Sequence, residues 1–166
     1  MKCRPNKIHL SLLVLLIFAQ AMAQKPLYNA FAHNDYEHDR PLLDALENGF
    51  NYVEADVWLI NGELYVYHNK PENPDSLRTL AKLYLDPLEK RIEANEGRVF
   101  KGHEEPFYLM IDIKSEADST YNKLMGELIK YDEMIYSVVF NTFGSKNPVH
   151  VFMSGNRPKR WKANSI

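Results

Sequence analysis

The order of hydrophobic and polar positions along the chain predicts strands that alternate with helices. Residues 28–33 form a short apolar stretch, and in residues 107–115 every second position is apolar, so both predict strands. Residues 121–129 repeat apolar side chains at helical spacing, and residues 149–153 predict a further strand. Strands that alternate with helices favour a parallel sheet with right-handed crossovers, so we expect an α/β fold.

Residues 52–68 predict the central unit of this fold, a hairpin of two strands. Alternation along the first strand places Glu54 and Asp56 on the same face. Two neighbouring carboxylates repel each other, so we expect a positive group between them. Asn61-Gly62 supplies the two residues of positive φ that a tight hairpin turn prefers, and the return strand is expected to end on His68. The hairpin would then bring two carboxylates and an imidazole to one region.

Local signals predict where the helices begin and end. Asp39 is a candidate N-cap with Pro41 in the first turn, and Gly49 is expected to end that helix. Asp86-Pro87 predicts the N-cap and first turn of another helix. Residues 138–140 form an apolar stretch that predicts an extra strand or the edge of a hairpin.

Charged and polar residues cluster where the predicted strands end. They are His33, Glu54, Asp56, Asp112, Lys114 and Arg157. In α/β barrels and open parallel sheets, the carboxyl ends of the strands carry the functional site. Acids that are paired on a strand are also typical of a solvated face, but several strand ends that converge on one chemistry favour a site.

Residues 1–23 have the pattern of a signal peptide. A basic start precedes an apolar run that is too short to span a bilayer comfortably, and Ala21-Met22-Ala23 resembles a cleavage signal. We therefore expect cleavage near Ala23/Gln24 and an exported domain, periplasmic or secreted, that comprises residues 24–166.

Composition excludes several classes of protein. The only cysteine, Cys3, lies in the predicted signal peptide, so the remaining chain cannot form disulfides or thiolate metal sites. The whole chain has a formal charge of −2, and the predicted signal peptide is basic, so the domain itself is more acidic. This charge does not favour nucleic acid or an anionic membrane surface as a partner, and no transmembrane span is expected in the mature chain.

Several motifs together resemble the superfamily of glycerophosphodiester phosphodiesterases and phosphatidylinositol-specific phospholipase C. Its pattern is a histidine on the first strand, Glu-x-Asp on the second, a second histidine shortly after, and an acid on the third. The corresponding residues are His33, Glu54, Asp56, His68 and Asp112. A closer resemblance is to the subfamily of altered-inheritance-of-mitochondria proteins. It rests on His33-Asn34-Asp35-Tyr36, Arg40-Pro41-Leu42, the Ala45 to Gly49 segment, Val53 to Trp58, Thr79-Leu80, Leu83 to Leu88 and Ser154 to Pro158.

The resemblance implies a (β/α)8 TIM barrel of about 250 residues. The mature chain would supply roughly the N-terminal half, so we expect a truncated member with an incomplete barrel. The implied activity is hydrolysis of a phosphoric diester, with a small-molecule or lipid substrate of the glycerophosphodiester or phospholipid type. Two alternatives stay open: a phosphomonoesterase that uses the same acids, and an inactive remnant that only binds.

The chemistry of the matched residues supports this activity. Glu54, Asp56 and Asp112 offer hard oxygen ligands, which suit Mg²⁺ or Ca²⁺. Histidine is the side chain best suited to proton transfer near neutral pH, so one of His33 and His68 could accept a proton from the attacking hydroxyl while the other protonates the leaving oxygen.

Phosphate binding is expected to involve other side chains. Asn34 stands where typical glycerophosphodiesterases have an arginine after the first histidine, so phosphate contacts are expected to depend on the metal, Lys114 or Arg157. We count Asn34, Lys114 and Arg157 as candidate substrate-binding residues.

Overall fold

A sheet of mostly parallel strands forms the centre of the structure. The computed structural model describes residues 25–136 and 147–158. The strands are β1 (Leu27–Ala32), β2 (Phe50–Ile60), β3 (Glu63–Val66), β4 (Phe107–Ile113), β5 (Ile135–Tyr136) and β6 (Val149–Gly155). The α-helices are α1 (Leu43–Glu47), α2 (Asp86–Ala94) and α3 (Ala117–Leu128). Short turns of 3-10 helix lie at Asp35–Glu37 and Ile129–Tyr131, and a π-helical turn at Ala81–Leu85 leads into α2.

The strand order is β1-β2-β4-β6-β5, and each neighbouring pair is parallel. β3 pairs antiparallel with the end of β2. The predicted α/β class with a parallel central sheet is therefore confirmed. The sheet is consistent with part of a TIM-like fold. However, the strands in the described part of the chain run from one edge to another without closing, so a barrel is not confirmed.

The two faces of the sheet differ in what they carry. Val53 and Ala55 of β2 and Leu109 and Ile111 of β4 have no exposed surface, and they belong to the hydrophobic core together with Leu124 of α3. Burying a valine, leucine or isoleucine side chain contributes about 1.5–3 kcal/mol, so this face contributes substantially to stability. Residues on the alternate positions face the other way.

Aromatic rings line the second face below the charged residues. Tyr52 and Tyr108, which are directly paired across β2 and β4, stack with ring centroids 5.5 Å apart. Phe31 packs edge-on against Tyr52 at 4.7 Å, and Phe152 extends the row from β6. The charged residues at the carboxyl end of this face therefore lie next to a row of aromatic rings.

The hairpin turn is confirmed, but its return strand is shorter than predicted. Asn61 and Gly62 have φ values of 50° and 81°, as a two-residue turn with two left-handed residues requires. β3 ends at Val66, so His68 lies beyond the strand rather than on its face. At this end of the strand, the Tyr67 N–H donates to the Asp56 carbonyl at 3.1 Å, whereas the Val66 N–H donates to the Arg78 carbonyl at 2.8 Å.

The start of α1 differs from the prediction. Asp39 does not cap the helix and Pro41 lies outside it, because Leu42 directly before the helix has a φ of 64°. The Leu42 N–H donates to the Asp35 carboxylate at 2.6 Å. A hydrogen bond to a residue seven positions earlier thus holds this turn in place of a local cap.

The start of α2 is correctly placed, but Asp86 is not its N-cap. The chain is already helical through the preceding π-helical turn, and no side chain caps the junction. The Asp86 carboxylate instead accepts a hydrogen bond from the Tyr131 hydroxyl at 2.6 Å. Pro87 occupies the first turn as predicted.

Some predictions concern other parts of the chain. The signal peptide, the strand at residues 138–140 and the last eight residues lie outside the described residues. Across residues 25–136 and 147–158, none of the helices has the length and apolar character needed to cross a membrane.

The end of β6 offers a test of how closely it packs on β4. Gly155 has a φ of 69°, and a Cβ there would lie 2.5 Å from the Ile113 carbonyl oxygen, whereas a Cβ on Gly62 would contact nothing within 4 Å. Alanine at either position carries the left-handed strain of about 1–2 kcal/mol. We expect Gly155→Ala to lower the free energy of unfolding by about 1–3 kcal/mol more, because it adds a clash. Urea denaturation measures the free energy of unfolding of both variants. An equal loss of stability in the two would contradict the close packing at Gly155.

Candidate active site

The register of the parallel strands brings the acids together. Asp56 of β2 is paired with Asp112 of β4, which is in turn paired with Ser154 of β6. Because neighbouring strands lie about 4.8 Å apart, residues paired in parallel register on one face have adjacent side chains. Glu54 lies two residues before Asp56 and therefore shares its face. Three carboxylates from two strands thus meet near the carboxyl edge of the sheet.

Glu54 is buried and is held by the loop that follows β1. Only 6% of its surface is exposed. Its Oε2 lies 3.3 Å from His33 Nε2 and accepts a hydrogen bond from the Asn34 backbone N–H at 3.0 Å. Asn34 has a φ of 51°, and this left-handed turn directs its N–H toward the carboxylate. The His33 ring itself is largely exposed, with one nitrogen next to an acid.

Asp56 lies at the centre of the cluster and is 1% exposed. Its Oδ2 accepts hydrogen bonds from the Tyr36 hydroxyl at 2.7 Å and from Lys114 Nζ at 3.0 Å, and His68 Nδ1 lies 3.4 Å away. Its other oxygen, Oδ1, is buried and has no hydrogen-bond partner. A buried carboxylate oxygen without a partner is costly unless another group binds it.

Lys114 lies between Asp56 and Asp112 and forms ion pairs with both. Burial alone would lower the pKa of this ammonium, but its hydrogen bonds to Asp112 and Asp56 outweigh that effect, and its pKa is raised. The positive group expected between neighbouring carboxylates is therefore present. It lies between acids on two adjacent strands, Asp56 and Asp112, rather than between Glu54 and Asp56.

Asp112 is also held by a hydrogen bond from the neighbouring strand β6. Its Oδ1 accepts a hydrogen bond from the Ser154 hydroxyl at 2.7 Å. Ser154 was not predicted as a site residue, because its contact with Asp112 depends on the pairing of β4 with β6.

His68 is brought back to the cluster by contacts of the residue before it. The Trp58 indole N–H donates to the Tyr67 carbonyl at 3.0 Å, and the Tyr67 N–H donates to the Asp56 carbonyl. About half of the His68 side chain is exposed. The ring therefore has one nitrogen near Asp56 and an exposed side.

Two further residues of the site, Asp35 and Tyr36, were missed by sequence reasoning. Asp35 is fully buried, and its Oδ2 accepts hydrogen bonds from the Leu42 N–H and from the Tyr84 hydroxyl at 2.9 Å. Burial raises the pKa of this carboxyl despite those hydrogen bonds. The sequence did contain one signal for these two residues. The whole segment from His33 to Tyr36 matches one family motif, and all four of its residues support the site.

Arg157 is exposed and lies beside a cleft at the start of α3. The cleft is lined by Ser115, Glu116, Ala117, Asp118, Asn156, Arg157 and Pro158. The structure shows no contact between Arg157 and the carboxylate cluster, so its role in substrate binding stays a prediction. The same holds for Asn34 and Lys114, whose observed partners are other residues of the site.

The three carboxylates could hold a metal ion. Glu54, Asp56 and Asp112 each offer one oxygen, and these oxygens lie within 4.8 Å of one another. The free Oδ1 of Asp56 and the all-oxygen donor set both fit a hard divalent cation. The residues present therefore fit the metal that the sequence implies.

Replacement of Lys114 by methionine tests how much the cluster depends on a positive charge. Lys114→Met keeps much of the side-chain volume but leaves Asp56 and Asp112 uncompensated. We expect the free energy of unfolding, measured in EDTA, to fall by about 1–3 kcal/mol, less than the ~3–5 kcal/mol of a fully buried pair. Lys101→Met, which breaks an exposed pair with Glu96, is the control and should cost under about 1 kcal/mol. Equal effects would contradict the central role of Lys114.

Comparison with known proteins supports the resemblance drawn from the motifs. A family model described as AIM6-like phosphodiesterase domain matches residues 22–164. A Lachancea thermotolerans protein named Altered inheritance of mitochondria protein 6 is 36% identical over 144 residues, which cover 76% of this chain and 34% of that protein. Proteins of the same name from Saccharomyces cerevisiae and Eremothecium gossypii are 32% and 33% identical, over 76% and 80% of this chain and 37% and 38% of theirs. No solved structure matches.

These relatives correct the prediction of export. They are yeast proteins named for altered inheritance of mitochondria, and that name contradicts a periplasmic or secreted location. The prediction was wrong because a basic start followed by an apolar run is not specific to one destination. The chain spans about a third of the length of the curated relatives that it matches. With the family model matching nearly all of its residues, the chain belongs to the family of AIM6-like phosphodiesterase domains.

Proposed function

We propose that the chain carries the metal-binding and acid–base residues of a phosphodiesterase site. The observation that carries this proposal is the meeting of three carboxylates and two histidines at one edge of the sheet. Membership of a phosphodiesterase family supports the same reaction type. The substrate class that we propose is a phosphodiester of the glycerophosphodiester or phospholipid type.

Glu54, Asp56 and Asp112 would hold Mg²⁺ or Ca²⁺, since both ions prefer oxygen ligands. The bound ion would neutralise charge on the phosphodiester and stabilise the charge that develops in the transition state. Its binding would also release Lys114 from its two ion pairs. The ammonium would then be available to a phosphate oxygen, which is the role that we propose for it.

His33 and His68 would transfer the protons. Each ring has one nitrogen beside a buried carboxylate, Glu54 for His33 and Asp56 for His68, and each is at least half exposed. A carboxylate at one nitrogen orients the ring and leaves the other nitrogen for the substrate.

The proposed reaction follows the usual order of acid–base catalysis. A hydroxyl next to the phosphate attacks phosphorus while one histidine accepts its proton. The bond from phosphorus to the leaving oxygen breaks, and the other histidine protonates that oxygen, which leaves a cyclic phosphate.

Asn34 and Arg157 are proposed to complete the phosphate contacts. The Asn34 side-chain amide lies 2.9 Å from the Tyr36 hydroxyl, and this amide is the group that would contact phosphate. Arg157 is exposed on the loop after β6, next to the strand end that carries Ser154. A guanidinium at this position would suit a phosphate oxygen.

The reaction class is tested with two chromogenic esters. Hydroxypropyl p-nitrophenyl phosphate is a diester with a neighbouring hydroxyl, and p-nitrophenyl phosphate is the monoester. We expect Mg²⁺- or Ca²⁺-dependent release of p-nitrophenol from the diester, abolished by EDTA, and much slower release from the monoester. Preference for the monoester would indicate a phosphomonoesterase. Turnover of neither ester, with metal bound, would indicate a protein that only binds; either result contradicts the proposal.

Alanine variants of the two histidines refine this test. The variant that lacks the general base should lose about 10²-fold or more in kcat/KM. The variant that lacks the general acid should lose less kcat/KM with this diester, because the p-nitrophenol leaving group needs little protonation. His103→Ala in the loop before β4 is the control and should retain activity. Full activity in both His33→Ala and His68→Ala would rule out acid–base roles for them.

A further inference from the structure

Tyr36 contacts three polar side chains of the candidate site through its hydroxyl. Its side chain is almost completely buried, and its hydroxyl oxygen lies 2.7 Å from Asp56 Oδ2, 2.9 Å from Asn34 Oδ1 and 3.1 Å from His68 Nδ1. One hydroxyl group thus lies between a candidate metal ligand and a candidate acid or base.

The hydroxyl has a single proton, so its three neighbours cannot all accept from it. Asp56 Oδ2 is the nearest acceptor, and a charged carboxylate is a stronger acceptor than the neutral amide oxygen of Asn34. Once this proton is directed to Asp56, the hydroxyl oxygen can only accept from His68 Nδ1. Asp56 Oδ2, 3.4 Å from the same nitrogen, is also an acceptor.

Both groups beside His68 Nδ1 therefore require it to carry a hydrogen. We propose that Tyr36 is a positioning residue that holds His68 in the tautomer protonated at Nδ1. The lone pair of Nε2 is then available for substrate on the exposed side of the ring. This inference rests on the proposed function, because the direction of Nε2 matters only if His68 transfers protons.

The backbone around Tyr36 is fixed by contacts that a flexible loop would lack. Arg78 Nη2 donates to the Tyr36 carbonyl at 2.9 Å, while Arg78 Nε donates to the Val66 carbonyl of β3 at 3.3 Å. The neighbouring Asp35 is anchored by Leu42 and Tyr84. These contacts fix the position of the Tyr36 hydroxyl next to His68, as a residue that orients a catalytic side chain requires.

The test is the tautomer of His68, observed by NMR of protein labelled with ¹⁵N-histidine, without metal and at a pH where the ring is neutral. Long-range correlations between ring protons and ring nitrogens distinguish the two tautomers. In the wild-type protein we expect the Nδ1-protonated form to predominate. In Tyr36→Phe we expect the population to shift toward the Nε2-protonated form, which a free histidine side chain prefers in water.

Tyr131→Phe is the matched control. Tyr131 also donates its hydroxyl proton to an aspartate, Asp86, at 2.6 Å, but it lies on another part of the fold. This variant loses the same type of hydrogen bond and should leave the His68 tautomer unchanged. A predominant Nε2-protonated form in the wild-type protein would overturn the proposal. That spectrum would overturn the proposal even if Tyr36→Phe does not fold. An unchanged population in folded Tyr36→Phe would also overturn it.

Kinetics link the tautomer to catalysis. In Tyr36→Phe we expect kcat on the diester to fall by about 10–100-fold, with KM little changed. This is the usual loss when a residue that orients an active-site side chain is removed. Unchanged kcat would overturn the positioning role even if the tautomer shifts. The NMR result needs no turnover, so failure of the proposed function is distinguishable: wild-type protein would then show the Nδ1-protonated form without hydrolysing the diester.

Discussion

The structure of the site depends on the parallel register of β2, β4 and β6. This register pairs Asp56 with Asp112 and Asp112 with Ser154, so one row across three strands carries two acids and a hydroxyl. A shift by one residue would turn these side chains into the hydrophobic core and would expose Ala55 and Ile111. The apolar packing that stabilises the opposite face therefore also holds the acids together. Stability and the candidate chemistry rest on the same set of backbone pairings.

Gathering acids in this way creates an electrostatic cost that the protein offsets with several groups. Lys114 compensates Asp56 and Asp112, while the loop after β1 supplies an N–H and an imidazole to Glu54. One oxygen of Asp56 still lacks a partner. A divalent cation would satisfy that oxygen and could take over the role of Lys114. In the proposed metal site, an external cation would thus replace an internal one.

The sequence predicted the parts of this arrangement that are governed by local patterns. Alternation placed Glu54, Asp56 and Asp112 on their strands, and Asn61-Gly62 marked the hairpin turn. The positions of Asp35 and Tyr36 depend on partners far along the chain, such as Tyr84 and Asp56, so periodicity alone could not indicate them. The same limit explains the error at α1, where a hydrogen bond from the Leu42 N–H to Asp35 replaces the local cap that the residue type of Asp39 predicted.

We propose that the three carboxylates form one divalent-cation site at the carboxyl edge of the sheet. A crystal structure of the protein soaked with Mn²⁺, located by anomalous scattering as a stand-in for Mg²⁺ or Ca²⁺, would show whether such a site exists. We expect a single strong peak bonded to Glu54, Asp56 and Asp112, with Lys114 moved away from the two aspartates. Absence of a peak there, with Lys114 still paired to both aspartates at saturating Mn²⁺, would contradict it.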